Sequence, residues 1–396
     1  MLLARGRKWP CDVYYEGPDQ HRGWFNSSLM VSVATDDQGR APYKAVLTHG
    51  WILDGEGRAM HKSLGNVILP EQIIPQYGAD ILRLWACSTD WHTDVRISPE
   101  ILKRVADAYR KARNTARFLL ANLSDYTPSG PHADRERLEL LDRAALARVR
   151  SRLSSAREDL EAGRFHAAVS RLVDLCTTDL SAVYLDFRKD ALYTLPVDHP
   201  ERRSCQAVLW ETLRGLTLAF APVLSFTAEE IWQHAPGLKA EAASVFEATW
   251  GADMPAADAT DLADWERLAE LREAVSRALG LERAAKRLAQ TQEAKIDLAA
   301  AKDDTEGQAL LARYGALLPT YLLVAEVGFD APAPDSGSGR WSVRVAKTSF
   351  PRCERCWNHR PTVGAVAAHP TLCDRCVAAL PPGFARPAPD PSKAVT

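Results

Sequence analysis

PEILKRVADAYRKARNTARFLLANL, residues 99–123, sets the character of this chain. Ile101, Leu102, Val105, Tyr109, Ala112, Ala116 and Leu119 recur every third or fourth position, which places them on one face of a long helix. The charges over 96–117 are mostly basic. Arg96, Lys103, Arg104, Arg110, Lys111, Arg113 and Arg117 stand against Glu100 and Asp107. The whole chain has a net charge of −2, so any attraction to nucleic acid must be local, as along this stripe. A solvated helix face is the ordinary alternative.

Reading outward, the pattern before this helix is different. LMVSVAT (29–35) and AVLTHGWIL (45–53) read as strands, separated by the turn residues DDQGR (36–40). After it, residues 140–160, 165–190, 203–221 and 227–234 read as amphipathic helices. Thr227 before Glu229 and Glu230 is a helix start signal. Residues 262–328 mix helix with an expected strand at YLLVAEVGF (321–329), and APAPDSGSG (331–339) has linker composition. The 396 residues leave room for roughly two to four domains. No apolar run approaches the ~18 residues of a membrane span, and charges at Arg5, Arg7 and Lys8 interrupt any signal-peptide core, so a cytoplasmic protein is expected.

Cys11, Cys87, Cys176 and Cys205 are scattered, as small buried hydrophobes are. Cys353, Cys356, Cys373 and Cys376 form two C-x2-C pairs sixteen residues apart. That is the spacing of a four-thiolate zinc ribbon, in which two knuckles complete a tetrahedron and leave no open position, so the zinc is structural. His359 and His369 are bystanders to such a site. Arg352, Arg355, Arg360 and Arg375 outnumber Glu354 and Asp374 around the ligands, with Trp357 among them. Basic residues interleaved with an aromatic suit RNA contact as well as they suit a solvated surface.

GRAMHKSLGN (57–66) puts Lys62 and Ser63 on a loop flanked by Gly55, Gly57 and Gly65. A lysine on such a loop can neutralise phosphate charge during nucleotidyl transfer. Upstream, YYEGPDQHRGWFNSSL (14–29) brings Glu16, Asp19, Gln20 and His21 to a loop-to-helix junction, a combination suited to an α-amino group and ribose hydroxyls.

Taken in order, these stretches resemble the isoleucine–tRNA ligases of the class I aminoacyl-tRNA synthetases. EGPDQHRGWF is similar to the adenylate-binding segment, THGWILDGEGRAMHKSLGN to the strand and lysine loop that closes on ATP. SAVYLDFRKDALYT (181–194) and APVLSFTAEEIW (221–232) are similar to the anticodon-binding helices, and CERCW…CDRC to the C-terminal zinc module of the bacterial isoleucine enzyme. The resemblance implies a fold that is α/β, then mainly α. The C-terminal part of a Rossmann-type nucleotide fold would occupy 1–98, and a helical-bundle anticodon-binding domain 99–260. A small α+β junction region and linker would follow at 261–340, a zinc ribbon at 341–380 and a disordered tail at 381–396. It further implies that Lys62 and Ser63 act in catalysis and that Glu16, Asp19, Gln20, His21 and Lys62 bind substrate. Zinc would sit on the four clustered cysteines. Arg113, Arg117, Arg352, Arg355, Trp357 and Arg360 would contact tRNA.

The loop departs from the family's Lys-Met-Ser-Lys-Ser, with Ala59 at the first lysine and His61 at the first serine. The family's His-x-Gly-His element is absent from the sequence, and there is no room for an editing domain. The expected activity is therefore that of a fragment or half of a split isoleucine–tRNA ligase, inactive alone, using ATP with Mg, isoleucine and tRNA(Ile). A separate N-terminal chain would carry the rest of the catalytic domain. A tRNA-binding protein without catalysis and a relative of the valine enzyme are the alternatives.

Overall fold

The structure, a computed structural model, describes residues 9–130, 132–251, 254–335, 339–381 and 384. The expected disordered tail lies outside these, Pro381 and Phe384 excepted. The chain divides into two compact units. One runs to Arg113 and adds Ser155–Val173 and Phe220–Ala228; the other comprises Asn114–Ser154, Asp174–Ala219 and the chain from Glu229.

In the first unit, β1 (Cys11–Glu16) pairs in parallel with β2 (Tyr43–Thr48), in register from Cys11↔Tyr43 to Glu16↔Thr48. Parallel neighbours need a crossover, and a helix at Trp24–Thr35 supplies it. Residues 29–35, expected as a strand, are therefore helical. Their β-branched composition is overridden by the connection they must make, and Val31 and Val33 stay exposed. The expected strand 45–53 is broken too. After β2 the chain turns at Gly50, whose amide donates to the Trp91 carbonyl, and resumes as β3 (Ile52–Leu53) beside β4 (Val95–Arg96). A Cβ at Gly50 would lie 2.1 Å from the Thr93 carbonyl oxygen, so only glycine permits this approach.

Helices Pro70–Tyr77 and Ala79–Cys87 cover this end of the unit. Their apolar faces meet Ile97 and Leu102 around Ile73, Ile81 and Trp85. The opening helix is observed at Pro99–Ala121, with Leu102, Ala112, Ala116 and Leu119 buried as its spacing requires. Thr227 is not the cap its neighbours implied, since its helix already begins at Ser225. Asp80 caps that helix instead, its carboxylate accepting from the Thr227 amide at 2.8 Å and hydroxyl at 2.6 Å. A carboxylate at a helix N-terminus satisfies orphan donors and complements the dipole.

The second unit is built mainly of helices, including Leu185–Thr194 and Pro200–Phe220. Leu175–Tyr184 forms a π-helical stretch leading into Leu185–Thr194. Tyr184, Phe187, Trp232, Tyr314 and Tyr321 are fully buried, and Phe187 meets Tyr184 and Tyr321 edge-on at 5.5 and 5.3 Å. A small sheet follows the helix Ala259–Ala284. β5 (Ala294–Ala300) is central, with β6 (Glu326–Gly328) parallel on one side and β7 (Trp341–Lys347) antiparallel on the other. The strand expected at 321–329 reduces to β6, because Tyr321 and Leu322 finish the helix Leu318–Leu322. Among the described residues no helix is long and apolar enough to cross a membrane.

Candidate functional site

The residues singled out in the first unit lie at the C-terminal ends of its parallel strands, where open α/β sheets bind ligands. Glu16 ends β1 with its side chain exposed, and its backbone carbonyl accepts from the His49 amide. A short turn, Pro18–His21, leads to the helix Trp24–Thr35. Within it, Gln20 accepts from the Trp24 amide at 3.0 Å, capping that helix, and donates to Asp19 at 3.0 Å. His21 Nε2 meets the Thr48 hydroxyl at 3.0 Å, joining the end of β1 to the end of β2. Asp19 and His21 remain exposed.

The lysine loop is stapled from beneath. Asp54, buried at the end of β3, accepts from the Glu56 and Arg58 amides, from Arg58 Nε and from the Asn66 amide, all at 2.9–3.0 Å. Asn66 also accepts from the His61 amide at 2.9 Å and donates to the Ala59 carbonyl at 3.1 Å. The Asn66 hydrogen bond, with those of Arg58, holds the Asp54 carboxyl well below the usual carboxylate range. Met60 packs onto the cluster around Ile73 and Trp85. Lys62 and Ser63 then project in a single exposed turn that ends at Gly65 with φ +64°. The frame is thus fixed while the cationic tip is free to meet an anion. Asp54 and Asn66 escaped the sequence reading, although an aspartate before a glycine after a strand is itself a turn signal.

On the helix Pro99–Ala121, Lys103, Arg104, Lys111, Arg113 and Arg117 are exposed opposite the buried face. Arg110 pairs with Asp107, and Arg113 Nη1 donates to the Tyr109 hydroxyl at 3.3 Å.

In the second unit the four clustered cysteines converge, with all their sulfurs within 4.8 Å of one another. Cys356 and Cys373 sulfurs are 3.9 Å apart, against about 3.8 Å for a tetrahedron with Zn–S near 2.3 Å. The Cys373 amide donates to the Cys353 sulfur at 3.4 Å, as thiolate ligands require. The donor set fits zinc, and with four thiolates the metal is structural.

The basic residues around this centre divide. Arg352 lies 5.1 Å over the Trp357 ring, and Trp357 is 65% exposed with φ +64°, strained for a non-glycine residue. Arg355 points inward, donating to the Thr194 carbonyl at 2.7 Å, so its guanidinium is engaged within the chain. Arg360 is half-buried.

Comparison with known proteins follows the same layout. Residues 4–98 match the class I tRNA synthetases (I, L, M and V), residues 142–298 the anticodon-binding domain of tRNA ligase, and residues 350–379 the zinc finger found in FPG and IleRS. Taken in order, the matched segments are those of class I aminoacyl-tRNA synthetases. A solved LeuRS–tRNA–LeuAMS complex from Agrobacterium radiobacter K84 shares the fold at TM-score 0.51 and 19% identity, over 64% of this chain and 29% of that one.

Within the class, the chain corresponds to the C-terminal part of isoleucine–tRNA ligases. It is 44% identical over 381 residues to that of Symbiobacterium thermophilum, covering 93% of this chain and 40% of the relative. To those of Syntrophotalea carbinolica and Haemophilus influenzae it is 43% and 41% identical, over 94% and 92% of this chain and 40% and 39% of theirs. The chain thus spans about 40% of the length of the relatives it matches.

Proposed function

We propose that this chain supplies the ATP-closing loop, anticodon-binding helices and zinc module of an isoleucine–tRNA ligase, which joins isoleucine to tRNA(Ile) at the expense of ATP in the cytoplasm. The observation that carries this reading is the 44% identity maintained over 93% of the chain, with the matched domains in order. Lys62 meets the phosphates of Mg-bound ATP, with Ser63 beside it, and neutralises charge as pyrophosphate leaves. Glu16 takes the α-amino group of isoleucine. Asp19, Gln20 and His21 face the ribose, and ligand binding at Gln20 and His21 exchanges their bonds to Trp24 and Thr48 for bonds to substrate. Arg113, Arg117, Arg352, Trp357 and Arg360 contact tRNA, with the indole offering a stacking face. The remaining parts of the nucleotide fold come from sequence outside this chain, on the same polypeptide or on a partner chain.

Isoleucine-dependent ATP–pyrophosphate exchange tests the catalytic reading. The purified chain alone is expected to give none, and activity is expected when the N-terminal portion of a relative is supplied; exchange by this chain alone would refute the expected need for the rest of the fold. A salt series of tRNA(Ile) binding tests the other half. Arg117→Ala is expected to lower the slope of log affinity against log salt by about one. Binding that ignores salt would remove the basic helix from the interface.

A further inference from the structure

The two zinc knuckles are built alike. Cys353-Glu354-Arg355-Cys356 and Cys373-Asp374-Arg375-Cys376 each place an acid and then an arginine between the thiols. Both arginines reach the same place. Arg355 Nη1 donates to the Thr194 carbonyl at 2.7 Å, Arg375 Nη2 donates to the Thr194 hydroxyl at 2.9 Å, and Arg375 Nη1 pairs with Asp190. Thr194 is the last residue of the helix Leu185–Thr194. There the final carbonyls lack helical partners, and the dipole favours cations.

An isolated ion pair on a surface contributes little. This arrangement differs in two respects. The Arg375 and Asp190 side chains are only 22% and 20% exposed, and the second arginine binds a backbone carbonyl that a side-chain rearrangement cannot withdraw. The receiving helix is itself fixed. Two residues before Asp190, Arg188 is buried against Asp142 at 2.8 Å. The spacing of the two arginines is set in turn by the four sulfurs that hold the knuckles together.

We propose that Arg355 and Arg375 are positioning residues that latch the zinc module onto the C-terminal end of the helix Leu185–Thr194. Zinc loading is thereby transmitted to the helix Leu185–Thr194 of the same unit, because the metal sets the knuckles at the separation that brings both guanidiniums to Thr194. The latch also fixes the direction in which the Arg352–Trp357 pair faces. Its consequence for tRNA rests on the function proposed above; the latch itself does not.

The test uses the full chain loaded with zinc, read by metal content and by hydrogen exchange of peptides covering 190–196 and 350–362. Arg355→Ala/Arg375→Ala is expected to keep one zinc per chain while exchange in both segments rises about tenfold, to the level of chelator-treated wild type. Asp190→Asn leaves the module's own sequence intact and is expected to loosen the same segments. Arg355→Lys/Arg375→Lys, which retains the charge at the helix end, is expected to restore most of the protection. Wild-type exchange in a zinc-loaded alanine variant would overturn the latch, as would loss of zinc from that variant. Faster exchange with unchanged tRNA affinity would uphold the latch and remove the module from the proposed tRNA contacts.

Discussion

The Asn66 side-chain amide donates to the Asp54 carboxylate at 2.9 Å across twelve residues of chain, closing the lysine loop at its base. The same asparagine holds His61 and Ala59, so two of the three residues before the exposed turn are tied to one side chain, and Met60 between them packs onto the apolar cluster. The staple thus stops short of the exposed turn that carries Lys62.

Asn66→Ala is expected to raise hydrogen exchange at the amides of residues 56–61 by about tenfold, because each loses a partner or the frame that presents it. Lys62→Ala leaves those amides protected and lowers adenylate formation in the complete enzyme. A loop equally ordered in both variants would show that Asn66 is not the staple. Since the Asp54 carboxyl is held low by Asn66 and Arg58, this frame is intact above the ordinary carboxylate pKa and loosens only as pH falls below it.

Cys353→Ser/Cys356→Ser is expected to abolish zinc binding and unfold residues 350–379, leaving the helical content of the rest in place. Metal analysis with far-UV circular dichroism reads both. Unchanged zinc stoichiometry would refute the ligand assignment.

Asp142 is fully buried and accepts from Arg188 Nε at 2.8 Å, the Tyr184 hydroxyl at 2.7 Å and the Ser204 hydroxyl at 2.5 Å. Arg188→Ala leaves that carboxylate without its counter-ion and is expected to cost about 3–5 kcal/mol in denaturant unfolding. Asp142→Ala/Arg188→Met removes both charges and is expected to cost less than the single change.

Burial pushes the Cys176 and Cys205 thiols up to about 12 from an ordinary 9.0. A raised folded pKa gives stability that is complete below the unfolded value and lost as pH rises through the folded one. The melting temperature is therefore expected to fall by about 5 °C or more between pH 9 and pH 11. At pH 8 a thiol reagent is expected to modify half-buried Cys11 well before either of these.

The opening helix, the bundle helices and the cysteine centre were legible because each is written in local spacing. The buried positions Leu102, Ala112, Ala116 and Leu119 follow a period of three to four, and the two C-x2-C pairs have the spacing of a four-thiolate zinc site and converge as one. β5 carried an equally local signal, with Ala294, Ile296, Leu298 and Ala300 buried in alternation, that the sequence reading passed over. Residues 29–35 misled because Val31 and Val33 favour strands, whereas joining two parallel strands requires a crossover.

By itself, the sequence determined the helix faces, the four metal ligands, and the order of nucleotide fold, helical region and zinc module that ties the chain to its relatives. Only the tertiary structure decided which polar groups meet. Asp80 caps a helix that begins near Ser225, and Arg375 meets Asp190 across 185 residues. No periodicity encodes such pairs, because a side chain's partner is fixed by where the packed backbone ends up, not by its distance along the chain. The same packing turned Arg355 inward to Thr194 while leaving Trp357 in the open.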